Sequence, residues 1–269
     1  MILMGTSGFS YEDWRGPFYP AGLGKNRMLD AYAEVFPAVE INATYYRTPG
    51  QRTAEGLVER AAGRLRFAIK APGDLTHKRR LDAETLVPYR RFLEPFRQAE
   101  CLDAILFQFP NALRNSAPSR EFLRHVHQEF GDLPLAFEFR HESWDHDDVD
   151  DQLRTWAVSR VGVDQPDLPG LSRSRRFVRT APLAYVRFHG RNAADWYGPD
   201  SGMNRYTYTY NQEELFETAA PIKAMAEKAQ STFVFFNNHP EGGAPQNALL
   251  LGQLLGLPRR HSEQTDLFG

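Results

Sequence analysis

Ionisable side chains fall near the C-terminal ends of short apolar segments along the chain. Glu138 lies within Ala-Phe-Glu-Phe, and Lys70 ends Phe-Ala-Ile-Lys. A charge within an apolar segment is costly unless it is paired, so such positions indicate either an ion network or a functional site. Carboxylates, an amine and an imidazole are the groups that general acid–base catalysis uses. The candidate catalytic residues are Glu40, Lys70, Glu138, Asp164 and His189.

Amide, imidazole, guanidinium and phenol groups follow the same segment ends and are candidates for substrate binding. They are Asn42, His77, Gln108, Arg140, Arg187, Arg191, Tyr197, Asn237 and Asn238.

Three interpretations of these residues stay open. In a metal-free site, Glu138 is the general acid or base, Lys70 and Arg140 tune its pKa and hold an anion, and His189 moves a proton. In a metal site, a divalent ion takes its ligands from oxygen and nitrogen donors. In the third, the groups form a structural ion network. No local spacing selects a metal, so the cofactor is left undetermined; the candidate ligands are Glu40, Glu138, His141, Asp164 and His189.

The apolar segments themselves recur at a steady interval and alternate with amphipathic stretches, which is typical of βα units with a parallel sheet. Eight units predict a (β/α)8, TIM-like barrel, in which the strand ends converge on one face. Residues 165–182 contain three prolines, so the sixth helix is expected to be irregular or missing. The predicted strands are Ile2–Ser7, Val39–Tyr45, Arg66–Ala71, Ala104–Phe109, Leu135–Arg140, Arg160–Asp164, Ala184–His189 and Thr232–Asn237.

Composition sets limits on the function class. The chain has 269 residues, 42% of them hydrophobic, with a net charge of −2, so there is no global basic field. The single cysteine, Cys101, excludes an internal disulfide and a cysteine-built zinc site. No apolar run reaches the roughly 18 residues of a membrane span, and strand-like sequence begins at Met1, so we expect a cytoplasmic protein. We expect a barrel domain at 1–257 and a flexible tail at 258–269. The oligomeric state is left open.

Basic and aromatic residues gather in the loops that follow several strands. Guanidinium groups beside exposed aromatic rings suit a phosphate backbone with stackable bases, which makes DNA a candidate partner. The alternative is that the cations are solvated and the rings pack on the barrel rim. The residues are Lys78, Arg79, Arg80, Arg173, Arg175, Arg176, Arg179, Arg187, Arg191, Trp196, Tyr197, Tyr206, Tyr208 and Tyr210.

The strand-end motifs resemble those of the YecE-like proteins, domain-of-unknown-function family 72. The resemblance covers about residues 1–256 and implies a TIM-like barrel, but little about chemistry. In the eighth segment the family often has Asn-Asn-Asp where this chain has Asn-Asn-His239. The motifs include Gly5-Thr-Ser-Gly-Phe-Ser-Tyr11, Val39-Glu-Ile-Asn42, Lys70-Ala-Pro72, Thr76-His77, Phe107-Gln-Phe-Pro110, Glu138-Phe-Arg-His-Glu-Ser-Trp144, Val186-Arg-Phe-His-Gly-Arg191 and Phe236-Asn-Asn238.

The segment Gln264-Thr-Asp266-Leu267-Phe268 resembles the peptide by which bacterial replication and repair proteins bind the DNA sliding clamp. A Leu-Phe pair can fill an apolar pocket while Gln264 hydrogen-bonds at its rim. The alternative is that the pair folds back onto the barrel.

Together these features predict a DNA-processing hydrolase of the repair or nuclease type, tethered to the sliding clamp. Two alternatives are an enzyme acting on a phosphorylated or carboxylated metabolite, and a non-catalytic adaptor between the clamp and DNA.

Overall fold

A computed structural model describes residues 1–197 and 204–260 of the chain. Eight parallel strands form a closed barrel in chain order, and the first strand pairs with the last to close it. The predicted (β/α)8 fold is confirmed. The strands are β1 (Ile2–Ser7), β2 (Ala38–Ile41), β3 (Arg66–Lys70), β4 (Leu102–Gln108), β5 (Leu135–Glu138), β6 (Ser159–Asp164), β7 (Leu183–Phe188) and β8 (Ser231–Phe236).

Helices pack around the outside of this barrel. Three of the longer ones begin with the side-chain caps expected of Asp, Ser and Asn, because those oxygens accept the free N–H groups of the first turn. They are α1 (Met28–Val35), α2 (Ala43–Tyr46), α3 (Gln51–Ala61), α4 (Gly73–Thr76), α5 (Ala83–Gln98), α6 (Ala117–Phe130), α7 (Asp147–Thr155), α8 (Gln212–Glu227) and α9 (Gly243–Leu254).

The second strand is shorter than the sequence predicts. Val39–Tyr45 was expected to be extended, but β2 ends at Ile41 and Asn42 takes helical backbone angles. The hydroxyl of Thr44 then donates a 2.5 Å hydrogen bond to the carbonyl of Lys70, which holds α2 against the end of β3. Threonine and tyrosine favour strands on average, but here the chain must turn at the barrel rim. The turn places Tyr45 beside Lys70.

No helix forms between β6 and β7, and residues 165–182 are all described. The prediction of a missing sixth helix is confirmed. The segment instead lies directly on β6, where the backbone N–H of Arg175 donates to the carbonyl of Val163. Gly162 permits this approach, because a Cβ there would lie 2.6 Å from the ring of Phe177.

The barrel interior is filled by residues of complementary size. Alanines on β2 to β5 face large aromatic side chains on β7 and β8, so the interior is packed rather than hollow. Towards the C-terminal ends of the strands the interior becomes polar. The interior apolar residues are Leu3, Ala38, Ala68, Ala104, Leu106, Ala136, Val161, Val163, Tyr185, Phe233 and Phe235.

Within residues 1–197 and 204–260, no helix combines the length and apolar character needed to cross a bilayer.

At the end of the described chain, the Arg260 guanidinium donates to the carbonyls of Ala33, Phe36 and Arg64. The clamp-like residues Gln264, Asp266, Leu267 and Phe268 lie outside the described residues.

Candidate active site at the barrel mouth

Arg187, at the end of β7, is the centre of a buried ion cluster inside the barrel mouth. Its Nη1 lies 2.6 Å from Glu138 Oε2, and its Nη2 lies 2.6 Å from Glu40 Oε1. The Tyr185 hydroxyl donates to the other oxygen of Glu40 at 2.6 Å. All four side chains are at most 1% exposed. One guanidinium therefore bridges carboxylates from β2 and β5 across the interior.

The second oxygen of Glu138 has two more partners. Arg140 Nε lies 2.6 Å from Oε1, and His189 Nε2 lies 3.2 Å from it. On the other side of the His189 ring, Nδ1 lies 3.2 Å from the side-chain nitrogen of Asn237. A neutral imidazole fits both contacts, with Nε2–H donating to Glu138 and Nδ1 accepting from Asn237.

The surroundings fix the charge of each member of this cluster. Burial alone would raise the pKa of Glu138, but the guanidinium groups of Arg140 and Arg187 outweigh burial and hold it well below its usual range. Burial lowers the pKa of Arg187, and the two carboxylates reverse this and raise it. Burial and the charge of Arg140 lower the pKa of His189 to about 3. At neutral pH the cluster therefore holds ionised Glu138, charged Arg187 and neutral His189.

Lys70 differs from these residues because its hydrogen-bond partner is uncharged. Its amine donates to the Gln108 side-chain oxygen at 2.8 Å and lies 4.5 Å from the centre of the Tyr45 ring. Within the described ranges no carboxylate forms an ion pair with it. Burial, followed by the charge of Arg187, lowers the pKa of Lys70 to about 7. Its amine is thus partly unprotonated near neutral pH.

Arg140 carries an unused donor. Its Nη1 lies 3.4 Å from the Gln165 side-chain oxygen, and its guanidinium carbon lies 5.9 Å from the Trp196 ring. Its Nη2 is buried without a hydrogen-bond partner among the residues of the structure's described ranges. Leaving a charged donor unpaired is costly, so such a group favours binding of an anionic ligand.

A cavity of about 590 Å³ lies to one side of the ion cluster, between the loops that follow β2 and β3. Tyr45 connects the two, since its ring contacts Lys70 and also lines the cavity. His77 lines the same cavity, with its ring centre 5.2 Å from that of Tyr45. The cavity therefore lies next to Tyr45, the aromatic neighbour of Lys70, and its lining includes neither Lys70 nor Glu138.

Two of the predicted catalytic and binding residues form a separate cluster. Asp164 accepts two hydrogen bonds from Arg191, at 2.9 and 2.8 Å, and a third from the Tyr210 hydroxyl at 2.8 Å. Arg191 also lies 3.5 Å from Glu214 on α8. This arrangement ties the segment after β7 to the barrel.

Four other predicted residues, all within the described ranges, make no contact with the ion cluster. Asn238 donates to the Tyr208 carbonyl and to Asn247, which fixes the end of β8. Tyr197 is 61% exposed. His141 accepts the backbone N–H of Ser143. Asn42 stands at the start of α2, and its buried side-chain oxygen has no partner among the described residues.

The proposed metal ligands do not fit a metal site as they are arranged. Guanidinium groups occupy the carboxylates of Glu40, Glu138 and Asp164, so those oxygens already have cationic partners. Of the residues the structure describes, no three His, Cys, Asp or Glu side chains converge as a metal site would require.

Most of the basic and aromatic loop residues are also engaged. Arg176 pairs with Asp150 at 2.6 Å, and Arg175 pairs with Asp167 at 2.9 Å. Trp196 and Tyr210 are each 2% exposed, so they pack on the rim as the alternative interpretation expected. The exposed ring beside the cavity belongs instead to Tyr46, which is 87% exposed.

Sequence reasoning missed Tyr45 and Tyr185. The period-two series Tyr185, Arg187, His189 marks the inward-facing positions of β7, so alternation along the strand could have identified Tyr185. Tyr45 had no such signal, because its position depends on the turn after β2.

Comparisons with known proteins agree with this fold. The chain matches the family described as "Protein of unknown function DUF72" over residues 3–267. It is 30% identical to the UPF0759 protein YunF of Bacillus subtilis (strain 168), with 100% of both chains covered. A crystal structure of a DUF72 family protein from Thermotoga maritima MSB8 superposes with a TM-score of 0.87 at 35% identity, covering 95% of this chain and 99% of that one. A DUF72 family protein from Enterococcus faecalis V583 gives a TM-score of 0.86 at 28% identity, with 99% and 100% covered.

Proposed function

The chain belongs to the DUF72 family, which is described as of unknown function, and its candidate active site is the barrel mouth. We propose that the protein is an enzyme acting on a small phosphorylated or carboxylated molecule. In this proposal Arg140 binds the anionic group and Lys70 transfers the proton.

The observation that carries the proposal is the neutral partner of Lys70. A lysine that pairs with a carboxylate stays protonated and cannot act as a base at neutral pH. Lys70 instead donates to Gln108 at 2.8 Å, and its pKa is lowered to about 7. A catalytic acid or base works best when its pKa lies near the working pH.

Glu138 and His189 are less suited to that task. Glu138 lies against Arg140, Arg187 and His189, and its lowered pKa keeps it ionised and weakly basic. His189 has a pKa of about 3 and is neutral at working pH. We assign both to positioning, because Glu138 holds the two arginines and His189 holds Glu138.

The cavity next to Tyr45 is large enough for a small ligand. Ligand pockets usually span about 300–1,000 Å³, and the cavity that shares Tyr45 with Lys70 has about 590 Å³. Trp196 packs near Arg140, and the ring of Tyr206 lies 6.1 Å from that of His189. Arg140 is only 6% exposed, which suits a compact anion better than a wide polymer.

The test is thermal stabilisation by inorganic phosphate, a sugar phosphate, pyruvate and a dicarboxylate. We expect saturable stabilisation by at least one of them, since a ligand that binds the native state raises the midpoint temperature of unfolding. Arg140→Met should abolish it. Arg97→Met, an exposed position on α5, is the matched control and should retain it. No stabilisation by any member would argue against the proposal.

A DNA-processing enzyme tethered to the sliding clamp is the second candidate. It is favoured by the Gln-Thr-Asp-Leu-Phe sequence at 264–268. A tether raises the local concentration, so strong intrinsic DNA affinity is not needed. In addition, Arg47 lines the cavity and Arg79 follows the cavity-lining Lys78, and both residues are exposed.

Binding to purified sliding clamp tests this candidate, with the double substitution Leu267→Ala/Phe268→Ala as control. Micromolar binding that the double substitution removes would support tethering. Abasic, nicked and single-stranded DNA loaded with the clamp, with divalent metal added, should then be cut. Clamp binding without cutting would favour the adaptor instead, and no clamp binding would remove this candidate.

A further inference from the structure

The position of Lys70 suggests a role beyond proton transfer. We propose that Lys70 is a nucleophile whose amine forms a Schiff base with the carbonyl carbon of an anionic aldehyde or ketone. This inference rests on the proposed function, because it uses the same mouth and the same anion-binding arginine.

The covalent step balances without an added oxidant or reductant. The lone pair of the neutral Lys70 nitrogen forms a bond to the carbonyl carbon, and the carbonyl π pair moves to oxygen. A proton lost from the nitrogen passes to that oxygen and gives a carbinolamine. The carbinolamine nitrogen then gives up its remaining proton, the hydroxyl group leaves with that proton as water, and the electron pair left on nitrogen forms the carbon–nitrogen double bond. Water adds back to release the amine.

The contacts of Lys70 suit each stage of this step. The hydrogen bond to Gln108 orients the amine at the end of β3 without supplying a negative charge. The guanidinium groups of Arg187 and Arg140 oppose protonation of the free amine. The face of Tyr45, 4.5 Å from the nitrogen, would stabilise the positive charge of a protonated imine.

Arg140 defines the substrate class. Its Nη2 is a buried cationic donor with no partner among residues 1–197 and 204–260, so it can pair with a carboxylate or a phosphate. The substrate would therefore carry a carbonyl group and an anionic group in one small molecule. The cavity beyond Tyr45 would take the remainder of that molecule.

The other lysines provide an internal reference. The chain has lysines only at 25, 70, 78, 223 and 228. Lys78 lies on the rim of the same cavity but pairs with Asp74 at 2.7 Å. An exposed lysine of ordinary pKa is about one part in a thousand unprotonated at pH 7, whereas an amine with a pKa near 7 is about half unprotonated. Selective reaction at Lys70 is therefore readily separated from background.

The experiment is reductive trapping on the full chain at pH 7. The protein is incubated separately with pyruvate and with glyceraldehyde 3-phosphate in the presence of cyanoborohydride. Intact mass and peptide mapping then locate the adduct. We expect one adduct at Lys70, on the order of a hundredfold more abundant than at any other lysine, given the difference in unprotonated amine. Comparison of the two probes distinguishes a carboxylate from a phosphate substrate.

Three controls accompany the trapping. Acetone, which has a carbonyl but no charge, should label Lys70 at least about tenfold less, since a lost charge-assisted hydrogen bond costs roughly a factor of ten or more. Arg140→Met should reduce the anionic adduct to the acetone level. Lys223→Met, an exposed lysine on α8, should leave it unchanged.

The outcomes separate this inference from the proposed function. If labelling spreads evenly over the five lysines, or if Lys70 stays unlabelled while anions still stabilise the protein, the covalent step is wrong and the proposed function stands. If neither labelling nor stabilisation occurs, the proposed function fails as well. Because wild-type peptide mapping decides these outcomes, none of them depends on the folding of a Lys70 variant.

Discussion

The amine of Lys70 donates a 2.8 Å hydrogen bond to the side-chain oxygen of Gln108, its neighbour on the next strand of the barrel. A carboxylate at the Gln108 position would have held the lysine in its charged form. The uncharged amide supplies the same geometry and leaves burial and nearby arginines to set the pKa.

Gln108→Glu should therefore raise the pKa of Lys70 from about 7. An opposite charge at hydrogen-bond distance favours the protonated form and typically shifts a pKa by about 1–3 units. Competitive acetylation of the lysines across pH 6–10, read by mass spectrometry, measures the midpoint at Lys70. Gln108→Asn keeps the neutral amide and is the matched control. An unchanged midpoint in Gln108→Glu would contradict the assigned cause.

Glu138→Gln should destabilise the protein strongly. The substitution leaves Arg140 without its buried counter-charge and leaves Arg187 with Glu40 alone, and breaking a buried ion pair from one side costs about 3–5 kcal/mol. Urea unfolding at pH 7 measures the free energy of unfolding. Glu94→Gln, which removes an exposed partner of Arg97, should leave the unfolding midpoint almost unmoved. Equal effects of the two substitutions would show that the buried cluster is dispensable.

The stability of the protein should fall as the pH drops from about 6.5, in part because of His189. Its pKa is about 3 in the folded state and about 6.5 in the unfolded chain, so between these values the unfolded state binds a proton that the folded state does not. This group contributes a slope of up to about 1.4 kcal/mol per pH unit, with stability rising as pH rises.

His189→Gln removes that proton uptake, so its free energy of unfolding should vary less steeply between pH 6.5 and 5. Urea unfolding at several pH values, with wild type run in parallel, measures the difference. The comparison stops at pH 5 because Glu138, whose folded pKa is depressed, adds a loss of the same sign at lower pH. Identical slopes in the two proteins would mean that His189 is not held neutral.

Gly162→Ala should destabilise the barrel by about 1–3 kcal/mol, the usual cost of overpacking. A Cβ at this position would lie 2.6 Å from the ring of Phe177 and 3.2 Å from the Arg176 carbonyl. Thermal or urea unfolding measures the change in the free energy of unfolding. Phe177→Ala in the same chain should recover part of the loss.

Gly252→Ala is the matched control, because nothing lies within 4 Å of a Cβ at that helical position. It should stabilise the protein by about 0.5–1 kcal/mol. If both alanines have the same effect, the segment after β6 does not pack as described.

Most of the architecture was predictable from the sequence, because each βα unit repeats a local pattern of apolar strand and amphipathic helix. Strand ends carrying Glu40, Lys70, Glu138 and Arg187 followed from that pattern. The contacts that each of these residues makes, and therefore its individual role, did not follow from the pattern. Whether Arg187 reaches both carboxylates depends on the register and closure of the barrel, which no single segment encodes. The same holds for Asp164, whose pairing with Arg191 removes it from the central cluster.

The turn after β2 shows a different limit. Thr44 and Tyr45 read as a continuation of the strand, because residue preference averages over many contexts. The helical angles at Asn42 and the bond from Thr44 to the Lys70 carbonyl decide otherwise, and both require β3 to be in place. The contact between Tyr45 and Lys70 is thus a property of the assembled barrel.

The pairing between β1 and β8 also affects when the barrel can close during synthesis of the chain. The strand at residues 2–7 has its hydrogen-bonding partner at residues 231–236. During synthesis the first strand therefore leaves the ribosome long before the segment that closes the barrel beside it. Until then an unfinished chain has two open sheet edges, which can pair with other chains. Closing so distant a contact is slow, so chaperone protection on the ribosome should matter more for this protein than for one built from local hairpins.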